Sequence, residues 1–203
     1  MLFYNAPNPA PNPRRVRIFL AEKGIEVPMT DISIMTGELR SEAFLAVNPL
    51  GQVPALKLDE GMVLTETVSI CRYFDALNPD PPMFGTDALS IATVDMWIRR
   101  VELRFGSPLA MIWVHTHPLT ARLLKQFTEF GESNRPRVDE AMRFIDKHLD
   151  GREFLATEAF TMADICLLTI VDFAGFIGIP IADDMPHLKA WHARVSARPS
   201  AAA

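Results

Sequence analysis

Apolar positions follow two rhythms along the first third of the chain. Leu2–Phe3–Tyr4 predicts a short strand, and the Asn/Pro run from Asn5 to Pro13 predicts a rigid loop. Proline fixes φ and lacks a donor, so neither a helix nor an inner strand runs through such a stretch. Val16, Phe19, Leu20 and Lys23 then recur at helical spacing from a start near Arg14, with Gly24 as the stop. Val27 to Ile34 predicts a second strand, and Ser41 to Leu45 a short helical turn. After a turn over 47–52, Val53 to Leu58 and Met62–Val63–Leu64 read as strands joined by the hairpin Asp59–Glu60–Gly61. Glu66 to Leu77 predicts a helix that offers Val68, Ile70, Cys71 and Phe74 to a core. This order describes a small α/β unit with a mixed sheet.

Asn78 to Gly85 breaks the pattern with three prolines and reads as a linker. Everything after it has helical period. Ala88 to about His115 is one long amphipathic segment, bent near Gly106–Ser107–Pro108. Leu119 to Phe130, Arg135 to Leu149, Met162 to Phe173 and Pro186 to Ala197 follow as further helices. The expected organisation is an α/β domain over 1–77, a linker over 78–86 and an all-α domain over 87–203. Thr161–Met162–Ala163–Asp164 precedes a run, Ile165 to Val171, that is hydrophobic on every side. Threonine and aspartate three apart can cap a helix start reciprocally. A helix apolar all round is central to its domain, so this box reads as structural rather than catalytic.

Composition narrows the class. The chain has 203 residues, 49% hydrophobic, with a formal net charge of -5, which suits one large or two small domains with real cores and not a disordered chain. Two cysteines exclude a disulfide scaffold. The acidic balance argues against a nucleic-acid partner. The longest apolar stretch, Ile165 to Ile181, carries Asp172, so no membrane span is expected. The start lacks a basic-then-apolar leader, and a cytoplasmic location is expected. No metal site is expected. The 16 prolines exceed the average share of about 5%, and four of them alternate at 7, 9, 11 and 13.

Those prolines sit at candidate chemistry. The loop Asn8 to Pro13 feeds a helix N-terminus, where unpaired amides and the dipole favour a thiolate or carboxylate. Val53–Pro54 is a plausible host for a cis peptide, which would turn the backbone N–H and C=O of Val53 outward, as an unpaired strand edge for a bound peptide. Glu66–Thr67 opens the next helix, where its amides and hydroxyl can hold a carboxylate.

These segments resemble the cytosolic glutathione transferases. The resemblance is carried by Leu2–Phe3–Tyr4, by Arg15–Val16–Arg17–Ile18 with Ala21–Glu22–Lys23–Gly24, by Asn48 to Leu56 around Gln52–Val53–Pro54, by Leu64 to Ile70 around Glu66–Thr67, and by the box at 161–165. It spans the whole chain in order. It implies a thioredoxin-like domain followed by an all-helical domain, in a homodimer, with glutathione as co-substrate. Carried over, Val53 beside a cis Pro54 would pair with the cysteinyl part of glutathione. Glu66 and Thr67 would hold its γ-glutamyl end, with Gln52 nearby and Arg40 reaching the glycyl carboxylate.

One position departs from the family. Its serine and cysteine types place the activating residue directly before a proline, which here is Ala10. Alanine neither donates to a thiolate nor forms a mixed disulfide. Asn12 is the substitute we expect, since its amide can donate to the sulfur and helix amides can add to it; the alternative is no dedicated thiol partner, with backbone amides alone. Tyr4 is the other substitute, as in the tyrosine types. Asparagine-type bacterial relatives resemble this arrangement and include disulfide reductases that work on glutathione alone. Cys71 and Cys166 both read as core, so any redox thiol would come from glutathione. Three functions stay open: attack of glutathione on a hydrophobic electrophile, glutathione-dependent disulfide exchange, and non-catalytic binding of glutathione or another ligand. Met111, Trp113 and His115, with His117, Phe173, Phe176 and Ile177, are candidates for an apolar second-substrate pocket. Arg99, Arg100 and Arg104 form a basic stretch that either meets acidic groups across a dimer interface or faces solvent.

Overall fold

Proline decides where the first helix begins. In the computed structural model, which describes all 203 residues, strand β1 (Leu2–Asn5) leads through the proline loop to helix α1 (Pro11–Lys23). The helix starts three residues earlier than its apolar period suggests, because a proline in the first turn gives up no hydrogen bond. Gly24 closes it at φ 62°, and the N–H of Ile25 returns to the Leu20 carbonyl at 2.9 Å, a glycine C-cap. Then come β2 (Met29–Asp31), a 3₁₀ turn (Glu38–Arg40), α2 (Glu42–Leu45), β3 (Ala55–Lys57), β4 (Val63–Thr65) and α3 (Thr67–Leu77). The expected strand over 27–34 shortens to three residues.

The sheet order is β2-β1-β3-β4. β1 and β2 are parallel, while β3 runs antiparallel to both β1 and β4. Tyr4, Ala55 and Thr65 stand in line across the three strands. The outgoing end of β1, the incoming end of β3 and the outgoing end of β4 therefore share one edge. Phe3, Val16, Ile18, Phe19, Leu56, Ile70 and Phe74 form the core.

The chain divides into two compact units, Met1–Met83 with Arg198–Ala203, and Phe84–Ala197. The last six residues thus group with the α/β half, whereas their sequence position assigns them to the helical one. Arg198 donates twice to the Glu22 carboxylate at 2.8 Å, and Ser200 donates to it as well. Arg14 donates to the Ala201 carbonyl at 2.8 Å.

The second unit is all helical: α4 (Ala88–Arg100), α5 (Ser107–Thr116), α6 (Thr128–Glu132), α7 (Arg135–His148), α8 (Met162–Phe176) and α9 (Pro186–Ser196). The expected bend near 106–108 takes the form of a π-helical stretch, Val101–Gly106, joining α4 to α5. Pro108 lacks the N–H that would bond the Arg104 carbonyl, and its ring crowds that turn, so the preceding turn widens. Gly106 leaves room for α8 there: a Cβ would stand 2.9 Å from Ile170 Cδ1, so that side-chain end would have to shift.

The helix expected over 119–130 does not form. The Thr120 hydroxyl, with its one proton, lies within hydrogen-bond distance of the carbonyls of Trp113, Val114 and His117, and Gln126 donates to those of Val114 and His117. These side chains satisfy the orphan carbonyls at the end of α5, and the segment is spent on capping. Only a 3₁₀ turn (Thr120–Arg122) and α6 remain.

Met162 to Val171, ten consecutive residues, are buried, which makes α8 the axis of its unit. The box is closed by Asp164. Its carboxylate accepts from the Thr161 N–H at 3.0 Å, the Thr161 hydroxyl at 3.1 Å, the Leu155 N–H at 2.8 Å and Trp191 Nε1 at 3.0 Å.

Candidate active site

Three of the positions singled out above meet at the shared sheet edge. β1 leaves that edge through Asn5 to the N-terminus of α1. β3 enters it from Val53–Pro54, whose peptide is cis. β4 leaves it through Glu66 to the N-terminus of α3. Two helix starts, each with a positive dipole end, therefore flank one peptide, between half-buried Val53 and buried Pro54. The N–H and C=O of Val53 have no partner within the chain, as an unpaired strand edge requires.

Glu66 is the sole non-glycine residue at positive φ, 66°. An L-residue there carries about 1–3 kcal/mol of strain, the kind retained at ligand sites. Glu66 is exposed and Thr67 buried. The Thr67 hydroxyl lies 3.5 Å from Arg15 Nη1. Arg15, only 5% exposed, thus joins α1 to the start of α3.

At the α1 start the prolines have a second consequence. Ala10 is the N-cap and offers no side chain. Pro11 and Pro13 have no N–H, and Arg14 N–H is used by the Ala10 carbonyl at 3.4 Å. Among the first three helical residues only Asn12 keeps a backbone donor, and its exposed side chain adds an amide. Tyr4 is not brought to this point. Asn5 meets Arg17 of α1, so the period of two along a strand puts Tyr4 on the opposite sheet face. There its ring packs edge-on against Phe44 at 5.9 Å.

Asn48 holds the turn before Val53. Its Nδ2 donates to the Gln52 carbonyl at 2.7 Å, and its Oδ1 accepts from Leu50 N–H at 3.1 Å. Arg40 donates to the Leu50 carbonyl at 3.2 Å. Gly51 is needed beneath it, at φ 60° and with a Cβ that would stand 2.7 Å from Arg40 Nη1. Gln52 and Arg40 are both exposed.

The second-substrate candidates separate. Residues two apart on a helix point about 200° apart. Trp113 packs with His117 at 4.3 Å, Phe173 at 5.3 Å and Phe176 at 6.1 Å. His115 instead meets Phe127 and Phe130 at 5.8 and 5.4 Å, and its Nδ1 accepts from the Phe127 N–H at 3.3 Å. Met111 is half-buried. Of the basic stretch, Arg99 pairs with Glu102 at 3.4 Å, and Arg100 lies over the Trp97 ring at 4.9 Å. Arg100 and Arg104 also line a cavity of about 340 Å³ with Trp97, Arg137, Glu140 and Phe144.

Spacing did not reveal Arg17, Asn5 or Asn48 as parts of this site. The signal available was a charged residue inside the buried stretch of α1, and an asparagine at a strand end.

A thioredoxin-like domain with a cis-proline peptide at its sheet edge, followed by an all-α domain, defines a class of thiol-binding folds. The comparisons with known proteins identify the family. The glutathione S-transferase N-terminal domain matches residues 10–77 and the C-terminal domain residues 112–199. Glutathione S-transferase 2 of Saccharomyces cerevisiae is 34% identical over 98% of this chain and 87% of its own. Human glutathione S-transferase theta-2B is 31% identical over 91% and 76%. The crystal structure of a glutathione S-transferase domain-containing protein of Marinobacter aquaeolei is 34% identical, with a TM-score of 0.93 over 98% of this chain and 99% of that one. The chain belongs to the glutathione S-transferase family.

Proposed function

We propose that this protein is a glutathione S-transferase in which Asn12, not a hydroxyl or thiol, stabilises the glutathione thiolate. The observation that carries the reading is the unpartnered Val53 peptide between two helix N-termini on one sheet edge. Val53 would pair with the cysteinyl backbone of glutathione. Glu66, Thr67 and the free amides opening α3 would hold the γ-glutamyl end, with Gln52 nearby and Arg40 near the glycyl carboxylate. Glutathione supplies the nucleophilic sulfur. Sulfur–carbon bond formation would displace a leaving group such as halide, and the thiol proton would pass to solvent. Asn12 would lower the barrier by donating to the developing thiolate. Its orientation away from the buried side of α1 supports it over Tyr4. The aromatic group around Trp113 is the candidate surface for an apolar second substrate. His115 is a weaker member, since its ring packs with Phe127 and Phe130 instead, and Met111 stays a candidate.

Glutathione-dependent disulfide exchange is the second reading. Both cysteines are buried and in no disulfide, which suits a reaction that uses only thiols of glutathione. A non-catalytic binder is the third, favoured by Ala10. We further propose domain limits of 1–77 and 87–203 about a linker at 78–86, with residues 198–203 returning to the first unit. A homodimer is proposed as well. No helix is long and apolar enough to cross a membrane, and a cytoplasmic setting is proposed. Calorimetric titration with glutathione, followed by turnover with an aryl halide and with a mixed disulfide, tests these readings. Binding with aryl-halide turnover is expected. Turnover of the disulfide alone would favour the second reading, and binding without turnover the third. Absence of glutathione binding would remove all three.

A further inference from the structure

The loop that carries Ala10 has almost no backbone hydrogen bonds of its own. Pro7 and Pro9 lack donors, and over residues 6–10 the one internal bond runs from Ala10 N–H to the Pro7 carbonyl at 3.3 Å. A single side chain supplies the missing attachment. Arg17 Nη1 donates to Asn5 Oδ1 at 2.6 Å and to the Ala6 carbonyl at 2.9 Å, while Nη2 donates to Asn8 Oδ1 at 2.6 Å. Asn5 in turn is fixed to β2. Its Nδ2 donates to Asp31 Oδ1 at 2.6 Å, and its carbonyl accepts from Ile32 N–H at 2.8 Å. One planar fork therefore ties the second turn of α1 to the start and the middle of the loop. Only a guanidinium has the rigid set of donors this requires.

The charge is kept there against opposition. Burial and the neighbouring Arg14 both pull Arg17 below the ordinary guanidinium pKa, and Asp31 works the other way. A charge held in such a place is better explained by its hydrogen bonds than by ion pairing. Asn12 lies five residues before Arg17, roughly 7.5 Å along the helix, so Arg17 touches neither Asn12 nor the thiol position and acts through the loop.

We propose that Arg17 is a positioning residue for the thiol: by holding Asn5, Ala6 and Asn8 together it sets where the α1 N-terminus and Asn12 stand. This inference rests on the glutathione-transferase reading. It separates two quantities. Glutathione affinity depends on Val53 and Glu66, whereas thiolate stabilisation depends on Asn12 and hence on the loop.

The test uses the full chain with Arg17→Lys, Arg17→Ala and Asn8→Ala. Each variant is checked for folding by circular dichroism. Glutathione affinity is measured by calorimetry, kcat and KM with an aryl halide, and the pKa of bound thiol by thiolate absorbance against pH. Arg17→Lys keeps the charge and loses the fork. It is expected to hold glutathione Kd within about threefold, to lower kcat about tenfold or more, and to raise the thiol pKa, the scale of loss seen when support behind a reactive group is removed. Asn8→Ala, at an exposed loop position, should move pKa and kcat in the same direction by less, and it keeps the test open if the Arg17 variants do not fold. A wild-type thiol pKa and kcat in every folded variant would overturn the proposal, as would weakened glutathione affinity with an unchanged thiol pKa. A wild-type chain that binds no glutathione would overturn the underlying reading and this inference with it. A wild-type chain with bound thiolate that the variants leave unchanged would overturn the inference alone.

Discussion

At the scale of single residues, the proposed function assigns reactivity to Asn12 and binding to Glu66, and the two assignments can be tested apart. Asn12 offers its amide at a helix start from which prolines have removed most backbone donors, so little else can compensate for its loss. Asn12→Ala is expected to reduce turnover about tenfold or more, in the range seen when one donor to a developing charge is removed, with glutathione affinity nearly unchanged. Steady-state kinetics with both an aryl halide and a mixed disulfide check this, and unchanged turnover with both sinks the assignment. Glu66 is the opposite case. Its positive φ costs stability while its carboxylate faces solvent. Glu66→Gly is expected to hold or raise the thermal midpoint, by up to about 1 kcal/mol of relieved strain, and to weaken glutathione binding about tenfold. A glycine variant with lower stability and wild-type affinity would show that the conformation serves folding alone.

At the scale of elements, the two firmest devices are the start of α8 and the tail strapped to α1. Asp164 satisfies four donors at once while wholly buried. Burial pushes its pKa up, against those four bonds. Asp164→Ala leaves the donors of Leu155, Thr161 and Trp191 unpaired, and a loss of about 3 kcal/mol or more is expected in denaturant unfolding. The tail has a pH dependence of definite sign. Burial pushes Glu22 up, but hydrogen bonds from Arg198 and Ser200, with the Arg198 charge, outweigh it and hold the carboxyl below its ordinary value. A depressed carboxylate pKa contributes stability that is complete above the unfolded value and lost as pH falls through the folded one. Protection of the amides of residues 198–203, measured as exchange relative to the intrinsic rate at each pH, should therefore be high at neutral pH and fall under acid. In Glu22→Gln protection should be lower at neutral pH and nearly independent of pH across that window.

At the scale of the whole molecule, the second unit exposes large apolar side chains that its own core does not use. Met96 is 40% exposed, Leu103 51% and Phe144 47%. Such residues suit a partner copy. Light scattering is expected to give about twice the chain mass of 22.7 kDa. Leu103→Glu with Phe144→Glu is expected to shift the population toward single chains without unfolding them. A dimer unaffected by both substitutions would place the contact elsewhere.

Hydrophobic period and proline placement by themselves determined the order of elements, the change from α/β to all-α, the buried character of α8 and the cis candidate at Val53–Pro54. These are local properties: steric limits on φ, the twofold and 3.6-fold periods, and the missing proline donor act within a few residues. The capping box was legible for the same reason. What required the tertiary structure were contacts between residues far apart or out of phase. Thr120 and Gln126 turn an expected helix into a cap only because the end of α5 is beside them. Tyr4 and Asn12 look equivalent along the chain, yet strand alternation sends one to the far face of the sheet. Trp113 and His115 look like neighbours, yet the helix parts them into two aromatic groups. The clamp made by Arg17 joins positions 5, 6, 8 and 17 through side-chain geometry, which no spacing rule specifies.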